Sequence, residues 1–499
     1  MSINFTIQEE TKGPYDFDSV YKTYTYDQDK TFAPSRTYAT MYKKIKKVTE
    51  SARLIEIQNS PPIFSYDFTD GILTTHGKGG TIDQAKASCI MEFAERYSWL
   101  HFDYKKASGY QKISFNDLSK ETNIDYLHDA LRFSADNNNE ELNEPLKEIP
   151  LRWIDGYSIT KKENIKYPLS WINYLHGSNG LCSGNTKEEA IVQGICEVLE
   201  RNNCNKYARN YKNEKINIID ASSISHPLFD EILEFLKNEG TELILLHIPT
   251  GCDVPVVMAG FINESIKPAI LKKSFGYGCH TSPLKAVFRA ITEYFQIRSG
   301  TIKEQTKIPF EIDIGTGNWF LSLDLDLKWI KENNPVVQLS EIKDISSNNF
   351  SEEIANLVAI TQDYGIELLV ADKTHPKLNT PVFRVFSPQS EPPSNILKLL
   401  HAPEWVVIQL YYEAGMIEEA KNFYKDHNSF IKDMSTDLIS QVGGSIFGSE
   451  IANVINSLLT LQPNPEIDKI CYKNYIIAQQ ALPSFSKKMQ SQLKTMFHN

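Results

Sequence analysis

Hydrophobic and polar positions alternate, or hydrophobic residues form short continuous runs, in seven segments of the chain that predict β-strands. These segments are RLIEI (53–57), IFSYDF (63–68), LRWIDGYSI (151–159), TELILLHIP (241–249), VPVVMAGFI (254–262), AILKKSFGYG (269–278) and IELLVADKT (366–374). Between them, hydrophobic residues recur at helical spacing. The pattern predicts a fold of mixed helices and strands, of the α/β or α+β class.

Both ends of the chain depart from this mixed pattern. Residues 1–35 are polar and rich in Tyr, Asp and Lys, without a sustained period, and they predict an arm laid over the surface. The Pro- and Ser-rich segment PQSEPPS (388–394) precedes a remainder that has helical spacing and no strand pattern. We therefore expect an arm over 1–35, a mixed domain over 36–395 and an all-helical domain over 396–499.

One motif occurs twice, and a third time more faintly. The two clear copies are GTIDQAKASCIMEFAER (80–96) and NTKEEAIVQGICEVLER (185–201). Counted from Thr81 and Thr186, both copies have Ala at plus four, Glu at plus eleven and plus fourteen, and Arg at plus fifteen. The third copy starts at Ser282, keeps the Ala and the first Glu, and has Gln296 at the second Glu position. The repeat predicts three related helices around one site.

The two clear copies place carboxylates on helices that are otherwise hydrophobic. Glu92 and Glu95, like Glu197 and Glu200, lie on one stripe of their helix, and apolar side chains cover most of the rest. An isolated E-x-x-E-R motif is typical of a solvated helix face. Here the apolar remainder predicts burial, where neighbouring carboxylates repel each other and need a cation. We interpret the four glutamates as ligands of Mg²⁺ that accompanies a phosphate.

Basic residues next to this stripe also indicate a phosphate ligand. Arg96 and Arg201 each follow a Glu by four residues and supply part of the compensating charge. The loop GKGG (77–80) leads into the first helix, where backbone N–H groups could approach phosphate oxygens. It lacks the Walker A pattern, and an isolated glycine-rich turn is as often structural as functional. Beside the glutamates, we interpret Lys78 as a phosphate-binding residue.

Composition and charge limit the classes of protein to which the chain can belong. The chain of 499 residues has a net charge of −11, which argues against a surface built to coat nucleic acid or a membrane. The first residues are charged where a signal peptide needs an apolar run, and no segment approaches the roughly 18 apolar residues of a spanning helix. We therefore expect a cytoplasmic protein. The 7 cysteines form no C-x-x-C pair and are interpreted as reduced, buried thiols.

Three segments of the chain resemble the YcaO family. They are LTTHGKGGTIDQAKASCIMEFAERYS (73–98), GSNGLCSGNTKEEAIVQGICEVLER (177–201) and SFGYGCHTSPLKAVFRAITEYFQIR (274–298), in family order. The segment LLVADKTHPKLNTPVFRVFSP (368–388) extends the resemblance to about residue 390. The resemblance implies two stacked α/β subdomains that enclose an ATP site. The helical tail is similar to that of members with tetratricopeptide-like C-termini.

The resemblance also implies the residues of the site. The family's Mg²⁺-binding glutamates correspond to Glu92, Glu95, Glu197 and Glu200. Its adenosine and phosphate contacts correspond to Ser88, Asn185, Glu189, Arg201, Gln296 and Arg298. A further contact is expected between Arg36 and Thr40. No catalytic side chain is singled out.

Three functions remain open on this basis. Family members use ATP to phosphorylate a peptide amide oxygen, and a Cys, Ser or Thr side chain, sulfide or an amine then gives an azoline, a thioamide or an amidine. The first function is therefore Mg-ATP-dependent activation of an amide in a ribosomally made peptide or protein, with a partner that delivers substrate or sulfur. The second is an ATP-binding accessory factor for another modifying enzyme, such as a ribosomal-protein methylthiotransferase. The third is a scaffold with a structural ATP site. A homodimer is expected, without nucleic-acid or membrane partners.

Overall fold

The computed structural model describes residues 15–58, 61–121, 145–209, 211–265, 272–305 and 325–390, together with parts of 407–427. The helices are α1 (Pro34–Lys46), α2 (Ile82–Leu100), α3 (Phe115–Glu121), α4 (Leu169–His176), α5 (Lys187–Arg209), α6 (Pro227–Asn238), α7 (Pro283–Gln305), α8 (Leu327–Asn333), α9 (Phe350–Asp363) and α10 (Ile417–His427). The strands are β1 (Arg53–Gln58), β2 (Phe64–Thr69), β3 (Thr74–Gly79), β4 (Gln111–Ile113), β5 (Leu151–Ser158), β6 (Glu163–Pro168), β7 (Leu181–Ser183), β8 (Asn217–Ile219), β9 (Glu242–His247), β10 (Val256–Ile262), β11 (Lys273–Cys279), β12 (Val336–Val337), β13 (Leu369–Asp372) and β14 (Val382–Phe386). Each of the predicted strand segments contains a strand, and the mixed fold is confirmed.

The described strands form three sheets. A three-stranded antiparallel sheet has the order β1-β2-β3, and a five-stranded sheet has the order β11-β10-β9-β8-β12. The third sheet has the order β4-β5-β13-β14-β7, with β6 paired to β5. Helix α5 packs on β7 and β14 of one sheet and on β10 and β11 of the other. It therefore lies between two α/β layers, as the stacked subdomains require.

Each copy of the sequence repeat folds as a strand followed by a helix. The pairs are β3 with α2, β7 with α5, and β11 with α7, and each helix packs on the strand before it. The first helix begins at the predicted capping box, where Thr81 and Gln84 exchange backbone-to-side-chain hydrogen bonds. A Cβ on Gly77 would lie 2.2 Å from the carbonyl oxygen of Ala85, and one on Gly278 would lie 2.3 Å from that of Ala286. The alanine at plus four is thus one point of close approach between helix and strand; a Cβ on Gly276 would likewise lie 2.1 Å from the carbonyl oxygen of Ala290.

Burial of the repeat helices follows their apolar circumference. The buried apolar side chains of α5 include Ile191, Val192, Ile195, Cys196, Val198 and Leu199, all within one hydrophobic cluster between the two large sheets. The cysteines within the described residues are buried and free, as predicted. Glu95 on α2 and Glu200 on α5 are buried as well, whereas the side chain of Glu92 is 32% exposed. Among the described helices, none combines the length and the apolar character needed to cross a bilayer.

The described part of the N-terminal arm differs from the surface arm that the sequence predicts. Lys22, Asp27 and Asp29 are buried. Lys22 Nζ lies 2.6 Å from an oxygen of Asp29 and 2.6 Å from one of Glu353 on α9. The expectation of an arm on the surface is wrong for these residues, because polar side chains with distant ionic partners have no periodic pattern in the sequence.

The start of the predicted helical tail packs on the six-stranded sheet. Val407, Leu410 and Ala420 belong to the same hydrophobic cluster as Trp153 and Trp171. Residues 391–406 and 428–499 lie outside the described residues, so the all-helical domain over 396–499 stays a prediction. Its first helices share a core with the mixed domain.

Candidate active site

The three repeat helices line one cavity of about 330 Å³. The predicted site residues that line it are Lys78, Ser88, Glu92, Glu95, Arg96, Asn185, Glu189, Glu197, Glu200 and Arg201. The side chains of Gln296 and Arg298 lie outside the described residues, although the backbone of α7 runs through both positions. The structure thus brings together residues that are up to about 120 positions apart in the chain, from Lys78 to Arg201.

Three carboxylates of the cavity, those of Glu95, Glu197 and Glu200, are destabilised as anions. Burial raises the pKa of Glu95 well above that of an ordinary glutamate, and Glu197 and Glu92 raise it further against the opposing effect of Arg96. Burial likewise raises the pKa of Glu197 and of Glu200. A divalent cation in the cavity would remove this penalty, because it favours the ionised form of every carboxylate nearby.

Two arginines lie between these carboxylates. Arg96 Nη2 is 3.5 Å from Glu92 Oε1, and its Nη1 is 3.3 Å from Glu95 Oε1. Arg201 Nε is 3.5 Å from Glu200 Oε1, and its Nη2 is 3.8 Å from Glu293 Oε1. The arginines therefore offset part of the negative charge, as predicted, and each guanidinium contacts two carboxylates.

Lys78 lies in strand β3 and lines the cavity. Burial lowers its pKa, and Arg289 lowers it further, while Glu293 and Glu200 oppose the shift. The neighbouring glycines do not form an open phosphate loop: Gly77 and Gly79 pair with β2, and their missing side chains leave room for the start of α2. It is the side chain of Lys78, more than the backbone, that is available to a ligand.

Sequence reasoning missed two residues of α7 that line the cavity, Arg289 and Glu293. The signal for Glu293 was the plus-eleven position of the third repeat copy, which aligns it with Glu92 and Glu197. The backbone repeats the match: Glu92 Oε2 accepts from the N–H of His76 at 3.4 Å, and Glu293 Oε2 accepts from that of Tyr277 at 2.6 Å. Both donors stand sixteen residues before their Glu. The repeat therefore extends to the orientation of the carboxylates.

Arm residues 27–30 also line the cavity, and no pattern in the sequence predicted this position for them. Thr37, within the predicted stretch from Arg36 to Thr40, lines the cavity and donates to Asn185 Oδ1 at 3.0 Å. The N-terminal region thus forms part of the wall.

The donor set of the cavity fits Mg²⁺ together with a nucleotide. Within the described ranges, no three Asp, Glu, His or Cys side chains form a group that could hold a metal ion by themselves. Mg²⁺ in nucleotide sites takes one or two carboxylates and completes its shell with phosphate oxygens and water, so a closed protein cage is not required. Buried Arg and Lys side chains supply the cations that phosphates need.

Fold and cavity together define a class of mixed α/β protein in which three strand–helix repeats line one highly charged cavity. Residues 76–391 match the family model described as YcaO cyclodehydratase, ATP- and Mg²⁺-binding. This is more than half of the chain, and the chain belongs to the YcaO family. ATP and Mg²⁺ are the cofactors of this domain, and the family is one of ATP-dependent enzymes.

Two curated relatives are similar to this chain in sequence. An uncharacterized protein of Methanothermobacter thermautotrophicus is 27% identical over 369 residues, which are 70% of this chain and 90% of that protein. The ribosomal protein S12 methylthiotransferase accessory factor YcaO of Escherichia coli is 26% identical over 368 residues, which are 66% of this chain and 59% of that protein.

Two solved structures share the fold. A heterocyclase in complex with substrate and cofactor has a TM-score of 0.60 at 23% identity, over 76% of this chain and 55% of the heterocyclase. YcaO from Methanopyrus kandleri, bound with AMPPCP and Mg²⁺, has a TM-score of 0.53 at 20% identity, over 74% of this chain and 94% of that protein. These likenesses establish the architecture of the chain.

Proposed function

We propose that this protein uses Mg-ATP to phosphorylate the oxygen of a backbone amide in a ribosomally made peptide or protein, so that a nucleophile can replace that oxygen. The observation that carries the proposal is the convergence of carboxylates and cations from three repeat helices and β3 on one cavity. These side chains are Glu92, Glu95, Glu197, Glu200, Glu293, Lys78, Arg96, Arg201 and Arg289. Membership in a family of ATP- and Mg²⁺-binding cyclodehydratases supports it.

In this proposal the glutamates of α2 and α5 bind Mg²⁺. These are Glu92, Glu95, Glu197 and Glu200, and Glu293 of α7 faces the same cavity. The burial of Glu95 and Glu200 supports the role, because a buried carboxylate without a full complement of cations is costly and a bound divalent cation offsets that cost. Their hard oxygen donors suit Mg²⁺.

The basic and polar residues of the cavity bind the nucleotide. Guanidinium groups match phosphate oxygens in a fork geometry, which suits Arg96, Arg201 and Arg289, and Lys78 provides a point charge. Further contacts with the nucleotide come from Ser88, Asn185 and Glu189, which line the same cavity. We propose that Gln296 and Arg298 complete these contacts from α7, as the resemblance implies.

The reaction needs a phosphate because an amide oxygen is a poor leaving group. Transfer of the γ-phosphoryl group forms a P–O bond to the amide oxygen and breaks the bond to ADP. Attack of the nucleophile on the amide carbon then leads to release of inorganic phosphate that contains the former amide oxygen. Holding the two reactants in place lowers such a barrier by about 7–11 kcal/mol, and the surrounding cations stabilise the charge on the transferred group.

The nucleophile and the partners belong to the same proposal. A Cys, Ser or Thr side chain would make this chain a cyclodehydratase, and sulfide would make it a thioamide synthetase. We propose a cytoplasmic homodimer that works with a partner protein for substrate or sulfur delivery, with residues 396–499 as a partner-binding helical domain. The description of the E. coli relative as an accessory factor of another enzyme supports a protein partner.

The same description favours a second candidate function. In it, this chain binds Mg-ATP in support of another modifying enzyme and does not phosphorylate an amide itself. Both functions need the nucleotide site, so nucleotide binding alone does not separate them.

An isotope experiment separates the two functions. A substrate peptide is made with ¹⁸O in the carbonyl at the modified position and incubated with the protein, its partner and Mg-ATP. Amide phosphorylation transfers the label to the released phosphate, whichever nucleophile attacks, and mass spectrometry of the phosphate detects it. Unlabelled phosphate from a reaction that still forms product would contradict amide phosphorylation and favour the accessory function.

A further inference from the structure

A short closed loop of the N-terminal arm, residues 24–31, forms part of the cavity wall and is here called the strap. Its ends pair through the backbone: the N–H of Lys30 donates to the carbonyl of Tyr24 at 2.9 Å, and the N–H of Tyr24 donates to that of Lys30 at 3.1 Å. Residues 27–30 of the strap line the same cavity as the repeat helices. Any displacement of the strap therefore changes the cavity.

The strap contacts all three repeat helices at the same position of the repeat. This position is plus three, counted from Thr81, Thr186 and Ser282. The side chains at this position are Gln84 of α2, Glu189 of α5 and Lys285 of α7. The Nε2 of Gln84 donates to Asp27 Oδ1. The backbone N–H of Thr31 donates to Glu189 Oε2 at 2.8 Å. The amino group of Lys285 pairs with Asp29 Oδ1. Equivalent positions of three helices are thus joined by eight consecutive residues.

Asp29 is the ionic centre of the strap. Besides Lys285, its carboxylate contacts Lys22 Nζ at 2.6 Å and lies 3.6 Å from His280 Nε2. Lys22 also contacts Glu353 of α9 at 2.6 Å. Asp29 is 5% exposed, and a buried charge pair that loses one partner leaves the other uncompensated. The cluster therefore fixes the strap firmly against α7 and α9.

We propose that the strap sets the mutual position of the three repeat helices around the nucleotide, with Asp29 as a positioning residue for Mg-ATP binding. The inference rests on the proposed function, because the carboxylates and cations on α2, α5 and α7 act on Mg-ATP only when the helices stand at matching distances. Asp29 acts through Lys285 and Lys22, which already occupy its carboxylate oxygens, and does not need to touch the nucleotide.

The test compares Asp29→Asn with a matched control in the full-length chain. Glu413→Gln is the control, because Glu413 Oε1 lies 3.1 Å from Arg152 Nε in a buried ion pair and lines no part of the cavity. Both variants exchange a buried carboxylate for an amide of the same shape. Calorimetry with the ATP analogue AMPPCP and Mg²⁺ gives the dissociation constant well below the melting temperature, and thermal unfolding gives the stability.

We expect Asp29→Asn to weaken Mg-AMPPCP binding about tenfold, which corresponds to about 1.4 kcal/mol, while Glu413→Gln lowers the melting temperature without changing the affinity. Lys285→Met, which leaves the Lys22 contact of Asp29 intact, should weaken binding in the same direction and gives the answer if Asp29→Asn does not fold. Wild-type affinity in a folded Asp29→Asn or Lys285→Met would overturn the role of the strap alone. Absence of binding by the wild-type chain would overturn the proposed function as well.

Discussion

The carboxylate of Glu95 is buried in the cavity, where bulk water does not stabilise its charge. Glu95 lies 3.3 Å from Arg96, yet burial and the charges of Glu197 and Glu92 raise its pKa well above the ordinary value. With a raised pKa in the folded protein, the folded state retains a proton that the unfolded chain releases. The free energy of unfolding therefore falls as the pH rises from the unfolded pKa of Glu, about 4.3, through the higher folded pKa.

This sign predicts that Glu95→Gln stabilises the nucleotide-free protein above the folded pKa of Glu95. The amide has no charge to bury, so the melting temperature should rise by roughly 2 °C for about 1 kcal/mol at pH 8 and stay unchanged near pH 4. Scanning calorimetry across this pH range measures the difference. Glu413→Gln serves as the comparison with opposite sign, because the variant removes the carboxylate charge that faces Arg152. A Glu95→Gln variant that is less stable than wild type at pH 8 would contradict the electrostatic account.

Three strand–helix elements build the cavity, and glycines on the strands of two of them set how closely the helix lies on its strand. In the first element, Gly77 faces Ala85, and in the third, Gly278 faces Ala286. Because the glutamates follow on the same helices, the distance between helix and strand determines where the carboxylates lie. The repeat in the sequence is thus a repeat of packing as well as of charge.

Gly77→Ala should therefore disturb the site through the position of α2. The added Cβ would lie 2.2 Å from the carbonyl oxygen of Ala85, a backbone atom that can move only with its helix. Overpacking of this kind costs about 1–3 kcal/mol, and we expect a loss of Mg-AMPPCP affinity in addition. Gly365→Asn is a suitable control, since no atom lies within 4 Å and its φ of 66° is accessible to Asn. Equal affinity in Gly77→Ala and wild type would exclude this coupling.

The repeat also explains which elements the sequence could predict. Two helices with capped starts, an apolar circumference and two glutamates each were recognisable because the pattern is local and occurs twice. The strap was not predictable, because its contacts join residues far apart in the chain: Lys22 and Glu353 are 331 positions apart, and Asp29 and Lys285 are 256 positions apart. Glu293 lies between these cases: its plus-eleven position in the third copy matches Glu92 and Glu197, but that copy keeps only one of the two glutamates.

Across the whole molecule, the two ends of the described chain are tied to the mixed domain. Arm residues line the cavity, and residues within 407–427 pack into the hydrophobic cluster that contains Trp153 of β5 and Trp171 of α4. The buried carboxylate of Glu413 forms an ion pair with Arg152 and accepts a hydrogen bond from the hydroxyl of Ser170. The core of the mixed domain therefore extends past the Pro- and Ser-rich segment at 388–394, where the sequence suggested a boundary.

Two truncations test this extension. A chain that ends after residue 427 keeps the Glu413 contact and should bind Mg-AMPPCP like the full chain, while losing turnover that depends on a partner. A chain that ends near residue 395 leaves Arg152 without Glu413 and exposes the hydrophobic face, so its melting temperature should be clearly lower. Thermal unfolding and calorimetry on both chains provide the measurement. Equal stability of the two chains would place the boundary near 395 after all.

The central claim is that glutamates of two repeat helices hold Mg²⁺ on ATP, and calorimetry with AMPPCP in the presence and absence of Mg²⁺ tests it most directly. We predict that the wild-type chain binds the nucleotide more tightly with Mg²⁺, and that Glu197→Gln folds but loses this Mg²⁺-dependent binding, because the amide removes a ligand and relieves part of the repulsion. Glu95→Gln should show the same loss from the other helix. Wild-type Mg-AMPPCP affinity in both Glu95→Gln and Glu197→Gln would contradict the account.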